Sequence, residues 1–139
     1  MTYTVTIYGF DSGLNELLFH QEKRYDPRTH RMRVYNTEKT KNERIIRSCL
    51  QKQGFNKVKL KTPIMIDYMV YAKDRKHDRG NIYAAIDKCF CDALQTMKIL
   101  ENDTWDCVVG LTFDSTLDRE NPRIEITITE VRFEKGKGK

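Results

Sequence analysis

Residues 76–105 read KHDRGNIYAAIDKCFCDALQTMKILENDTW. Ile82, Ala85, Ile86, Cys89, Phe90, Ala93, Leu94 and Met97 recur at three- and four-residue steps, the spacing that lines one side of a 3.6-residue turn. A stripe of that width must pack on a core, so the middle of the stretch is predicted to be an amphipathic helix. Carboxylates bracket it. Asp78 stands before it with Gly80 and Asn81, Asp87, Lys88 and Asp92 lie on its polar side, and Asp103 follows where the chain turns back towards a strand.

Separated carboxylates with a lysine between them suit metal-assisted phosphodiester cleavage. Hard oxygen ligands hold magnesium, and a lysine steadies the charge that develops on the phosphoryl group. The bland alternative is a solvated helix face that happens to carry Asp and Lys, and on residue types alone both readings stand.

Outward from this helix, the flanking segments alternate with the period of strands. Thr2 to Tyr8 sets Tyr3, Val5 and Ile7 against threonines, and Ile124, Ile126 and Ile128 alternate with Glu125, Thr127 and Thr129 in a strand expected over 123–133. Residues 58–72 are β-branched, aromatic and methionine-rich around Pro63, which predicts a strand mainly over 64–71, and 105–113 reads as another. Thr40-x-x-Glu43 has the form of a capping box, followed by Ile45, Ile46, Cys49 and Leu50 and then Gly54 as a helix stop. The order strand, helix, strand, helix, strand, strand predicts a single α+β domain, a mixed sheet with two packed helices. Its expected span is 1–134, with the KGKGK end, residues 135–139, a disordered basic tail.

Charge is unevenly divided. Residues 1–76 hold 16 Lys and Arg against 8 Asp and Glu, a net of +8, whereas 77–139 hold 9 against 12, a net of −3. A first half that grips a polyanion and a second half that holds acids would produce this asymmetry. Residues 20–35, HQEKRYDPRTHRMRVY, read as a basic loop in which Lys23, Arg24, Arg28, Arg31 and Arg33 meet backbone phosphate and tyrosines stack on exposed bases. Lys73, Arg75, Lys76 and Arg79 stand around Asp78, where they attract phosphate. The four cysteines lack metal-ligand spacing and are expected to be free thiols; of the three histidines only His77 neighbours the carboxylates. No run of eighteen apolar residues and no secretion signal occurs, so a cytoplasmic protein without a membrane span is expected.

The order of these residues resembles the RusA family of Holliday-junction resolvases. That family's hallmark is Asp-x-Asp-Asn, a helix with a Lys and an Asp-Ala-Leu, and a late Asp beside a turn. Asp78 matches the first aspartate, Asn81 the asparagine, Asp92-Ala93-Leu94 the triplet, Asp103 the late aspartate, and residues 125–130 the closing strand. The resemblance implies a homodimeric, magnesium-dependent endonuclease that resolves branched DNA in recombination and repair. It casts Asp78 and Asp103 as metal ligands, Lys88 as the phosphoryl-stabilising cation, and Asn81 and Asn15 as substrate-side residues. Two positions depart from the pattern. Gly80 replaces the second aspartate, and the family's lysine position is Ala84, with Lys88 one helical turn, about 6 Å, further along. Asp87, Asp92, Glu101, Asp106 or His77 would have to supply the missing ligand, or the chain binds junctions without cutting them. Gly80 in a left-handed conformation would also resist a side chain.

Overall fold

Alternation builds the first strand, β1 (Thr2–Ile7), with Val5 and Ile7 fully buried and Thr2 and Thr4 exposed. The computed structural model describes residues 1–10, 22–26, 31–35, 37–75 and 78–131. After β1 come β2 (Glu22–Asp26), β3 (Arg31–Tyr35), α1 (Thr37–Lys52), β4 (Ile64–Ala72), α2 (Arg79–Thr96), β5 (Val108–Leu117) and β6 (Arg123–Glu130). The main sheet has the order β1-β6-β4-β5, in which β6 runs antiparallel to both β1 and β4, and β5 runs parallel to β4. The sheet is therefore mixed, and with the two helices it makes the expected α+β fold. Parallel neighbours need a crossover, and α2 is that crossover.

β4 is central because strands pair with it along both edges. Ile64, Ile66, Tyr68 and Val70 point to one side, where they meet Ile124, Ile126 and Ile128 of β6, Val5 and Ile7 of β1, Ile46 and Leu50 of α1, and the α2 stripe. Seven of the eight residues in that stripe are buried and Met97 is packed against them. Tyr68 and Phe90 meet edge to face at 6.0 Å. Truncating Phe90 or Leu94, both fully buried, would cost roughly 2–5 kcal/mol. The other side of the sheet is mixed, with Met65, Met69 and Tyr71 of β4 among threonines and charged residues. Register places Thr4, Thr127, Asp67 and Thr112 in one row across the four strands, and the Thr112 hydroxyl donates to Asp67.

Several elements differ from the sequence reading; β5 runs on to Leu117 rather than stopping at 113, and β6 ends at Glu130 rather than 133. The basic segment over 20–35 contains an antiparallel ladder, β2 on β3, with Arg24 opposite Arg33 and Lys23 opposite Val34. α1 begins at Thr37, which puts Thr40 inside the helix and removes the capping box. β5 starts at Val108, because residues 105–107 form a turn in which the Cys107 and Val108 amides both donate to the Thr104 carbonyl. Gly54 does end α1, at φ +86°, in the left-handed region that a side chain resists. The tail at 135–139 lies outside the described residues.

Candidate active site

Asp78 takes the N-cap of α2, with extended backbone and its Oδ1 accepting from the Gly80 amide at 2.7 Å. An aspartate suits that position because its carboxylate satisfies an amide that has no partner inside the helix and faces the positive end of the helix dipole. Asp78 therefore has a structural duty whatever else it does. Gly80 lies in the first turn without a positive φ, which removes the left-handed explanation for a glycine here. A Cβ at Gly80 would meet Asp78 Oδ1 at 3.2 Å, so a side chain requires the Asp78 carboxylate to move by a few tenths of an ångström.

Around this cap the chain sets cations and two cavities. One, of about 340 Å³, has an apolar floor of Ile7, Val70, Ala72, Ile82 and Ile124, with Phe10, Lys41, Lys73 and Arg123 at its margin. The other, of about 320 Å³, is lined by Arg75, Arg79, Tyr83, Ser115 and Thr116 and shares Val70, Ala72, Asp74 and Ile82 with the first. Tyr83 donates to Ser115 Oγ at 2.8 Å and stacks on Phe113 at 5.0 Å, which fixes the wall between α2 and β5. Arg123 is held by Asp118 and Glu125, each at 2.9 Å, and lies 3.8 Å over the Tyr71 ring. Those contacts hold the Asp118 carboxyl below the usual carboxylate range, with the Arg123 hydrogen bond the largest cause.

A second set of acids gathers further along α2. The Tyr68 hydroxyl, buried under Phe90 and Phe113, donates to Asp87 Oδ1 at 2.8 Å, and the Cys91 thiol approaches the same oxygen at 3.5 Å. Burial first, then the charge of Asp87 beside it, pushes the Cys91 thiol well up, and Asp103 adds to the rise. Burial likewise raises the Tyr68 phenol, helped by Cys91 and Asp87. Asp87, Cys91 and Asp103 share a cavity of about 510 Å³ with Trp105 and residues 108–111 of β5. Trp105 is 93 % exposed, and Val109 and Leu111 are 44 % and 43 % exposed.

Asp103 thus stands beside Asp87 and Cys91, not beside Asp78. Asp87 and Cys91 lie 9 and 13 residues beyond Asp78, about 14 and 20 Å along a helix axis. Magnesium ligands sit about 2 Å from the ion, so one chain in this conformation does not bring Asp78 and Asp103 to one ion. Lys88 is exposed and pairs with Asp92, one turn on, at 3.5 Å. Asn81 is half-buried in the first turn of α2, and Arg75 and Arg79 are exposed at its start, as is Lys73 at the end of β4. Glu101 and Asp106 are exposed. Lys23 and Arg24 fall on β2 and Arg31 and Arg33 on β3. Asn15, Arg28, Lys76 and His77 lie outside the described residues. Among the described residues no group of three or more His, Cys, Asp and Glu converges on a metal position, and no helix is long and apolar enough to cross a membrane. Sequence reasoning had no means of finding Tyr68 as the anchor of Asp87, since that contact joins β4 to α2 across 19 residues.

The model of the family described as Endodeoxyribonuclease RusA matches residues 20–129. That span runs from just before β2 to the penultimate residue of β6 and contains both acidic regions. No curated protein matches the chain.

Proposed function

Because the chain belongs to the RusA endodeoxyribonuclease family, we propose that it hydrolyses phosphodiesters at four-way and other branched DNA junctions in recombination and repair, as a magnesium-dependent homodimer. The observation that carries this reading is the start of α2, where the Asp78 carboxylate caps the helix and Lys73, Arg75 and Arg79, near it in sequence, line two open cavities. Cations draw in a polyanion without reading its sequence, and a carboxylate among them is placed to meet a metal that bridges to phosphate.

Magnesium fits the donor chemistry on offer. Carboxylate oxygens are its preferred protein ligands, and one or two of them with substrate phosphate and water complete an octahedron. Asp78 and Asp103 are the ligands we assign; their separation within a chain is bridged if Asp78 of one copy meets Asp103 of a second copy across a two-fold axis. Asp87 and Asp103, which share a cavity, are the competing pair. The chemistry a bound magnesium supplies is neutralisation of phosphoryl charge and activation of water. The protein's own part is positioning. Arg75 and Arg79 fix the scissile strand, and Lys88, released from Asp92, steadies the developing charge. Asn81 orders the loop before α2.

A synthetic four-way junction titrated with magnesium tests the reading on a denaturing gel. Symmetric nicks that require the metal are the expected result. Retained binding without nicking at any magnesium concentration would overturn the enzyme and favour a junction-binding protein that lost cleavage with the aspartate replaced by Gly80. In that event Gly80→Asp, which the 3.2 Å contact tolerates after a small shift, should restore magnesium-dependent nicking.

A further inference from the structure

The cavity floored by Ile7, Val70, Ala72, Ile82 and Ile124 has no role in metal-assisted hydrolysis, yet it is a formed, concave, apolar site of about 340 Å³. That volume lies within the range of small-molecule pockets and fits a single planar group. The isoleucine and valine side chains of the floor are themselves buried, Ile7 at 0 %, Ile124 at 4 %, Val70 at 5 % and Ile82 at 8 % exposed, so what a flat aromatic guest gains there is burial of its own apolar faces, in proportion to their area. The cavity lining sets Lys41 and Lys73 against one carboxylate, Asp74, with Arg123 already paired to Asp118 and Glu125, so the balance favours a guest that belongs to something anionic. The neighbouring cavity shares the Val70, Ala72, Asp74 and Ile82 wall and is also lined by Arg75, Arg79, Ser115 and Thr116. An apolar slot and a cationic slot on two sides of one wall match the two halves of a nucleotide. Ile82, whose amide donates to the Asp78 carbonyl at 3.2 Å, belongs to both cavities and stands one helical turn, about 6 Å, from the candidate ligand.

We propose that the cavity over Ala72 and Ile82 is a base pocket that takes one unstacked nucleobase from the branch point, while Arg75 and Arg79 in the adjoining cavity hold that nucleotide's phosphate beside Asp78. This rests on the nuclease reading above and deepens it. A base at a branch point has already lost part of its stacking, so its extrusion costs less than extrusion from a continuous duplex. The pocket thus selects junctions over linear DNA and makes one nucleotide position near the branch a determinant of where the strand is cut. The floor is apolar, so recognition runs through shape and burial of the ring.

An abasic scan tests the proposal. Single abasic sites are placed at each nucleotide within a few positions of the branch of a synthetic four-way junction, and affinity for the full-length chain is measured in calcium to prevent cleavage. One position is expected to weaken binding about tenfold and its neighbours to change it less than twofold. Ala72→Leu, which fills the shared wall, should weaken the intact junction by a similar factor and abolish the response to that abasic site. A flat scan with intact-junction binding retained overturns the base pocket and leaves the nuclease reading standing; absence of any preference for branched DNA overturns both. The scan on the wild-type chain decides the matter even where Ala72→Leu does not fold.

Discussion

Around the first turn of α2 stand Lys73, Arg75 and Arg79, and the Asp78 carboxylate there is tied to the Gly80 amide. Two to four turns later, Asp87 and Asp103 face a cavity bordered by Trp105, Val109 and Leu111, three large apolar side chains exposed to solvent. One end of the helix is cationic with sheltered apolar floors; the other is acidic with apolar residues outside. The two regions solve opposed problems. Phosphate is attracted by the first and repelled by the second unless a cation intervenes, so in the proposed reading the two assigned ligands lie in opposite surroundings, Asp78 at the cationic end and Asp103 at the acidic one.

The largest effect should come from the carboxylates. Asp78→Asn and Asp103→Asn are each expected to lower junction cleavage by on the order of 100-fold or more while binding is retained, since in the proposed reading each removes a metal ligand. Mixing the two inactive variants sharpens the comparison. If the regions meet across a dimer, about half of the dimers are mixed and each of those carries one intact site, so about a quarter of wild-type cleavage should return. No recovery would place catalysis inside one chain, and Asp87→Asn would then be the variant that abolishes it.

Removing cations should affect only the first region. Arg75→Ala with Arg79→Ala is expected to weaken junction binding about tenfold or more at moderate salt and to flatten the salt dependence by roughly one log unit for each phosphate no longer neutralised. Asp103→Asn should leave that slope unchanged. A slope that shifts equally in both variants would erase the distinction between the two ends.

A smaller change is expected at Tyr68. Tyr68→Phe removes the 2.8 Å hydrogen bond to Asp87, and a bond of that kind is worth about 1 kcal/mol in denaturant unfolding, up to about 3 if the carboxylate loses its buried partner. Cleavage should fall only if the acidic cavity holds the metal.

The smallest effect concerns Asp118. Its carboxyl titrates below the ordinary range in the folded protein because of Arg123, so its contribution to stability is present above the unfolded-state value near pH ~4 and is lost as the pH falls through the lowered one. Asp118→Asn should narrow the difference in thermal stability between neutral and acid solution slightly, and should leave cleavage at neutral pH alone.

Much of this was legible in the residues. The α2 stripe is visible because eight apolar positions recur at helical spacing, the β-branched, aromatic and methionine residues of 64–71 mark a strand, and the strand expected over 123–133 alternates and ends in the structure at Glu130. The β2 and β3 ladder was hidden because Lys23, Arg24, Arg31 and Arg33 read as a solvated segment; Tyr25 opposite Met32 and Lys23 opposite Val34 carry the strand pattern, but only the pairing itself reveals it. The start of α1 differs because Thr40-x-x-Glu43 reads as a capping box, whereas the helix already begins at Thr37. At the site, the residue types were apparent and their grouping was not. Asp103 folds back along α2 through the connection at 97–103, where the Ile99 and Leu100 amides both return to the Leu94 carbonyl, and no local spacing encodes that reversal.

Among the described residues β5 is hydrogen-bonded along one side only, to β4, and has no strand beyond it. Amide protons on its outer side should therefore exchange with solvent far faster than those of β4 and β6, through openings that leave the Phe90 and Leu94 packing intact. The wall of the acidic cavity is thus one of the two edges of the sheet, β1 being the other, and a second chain or a DNA strand that settles against it would reveal itself first as slowed exchange at residues 108–111.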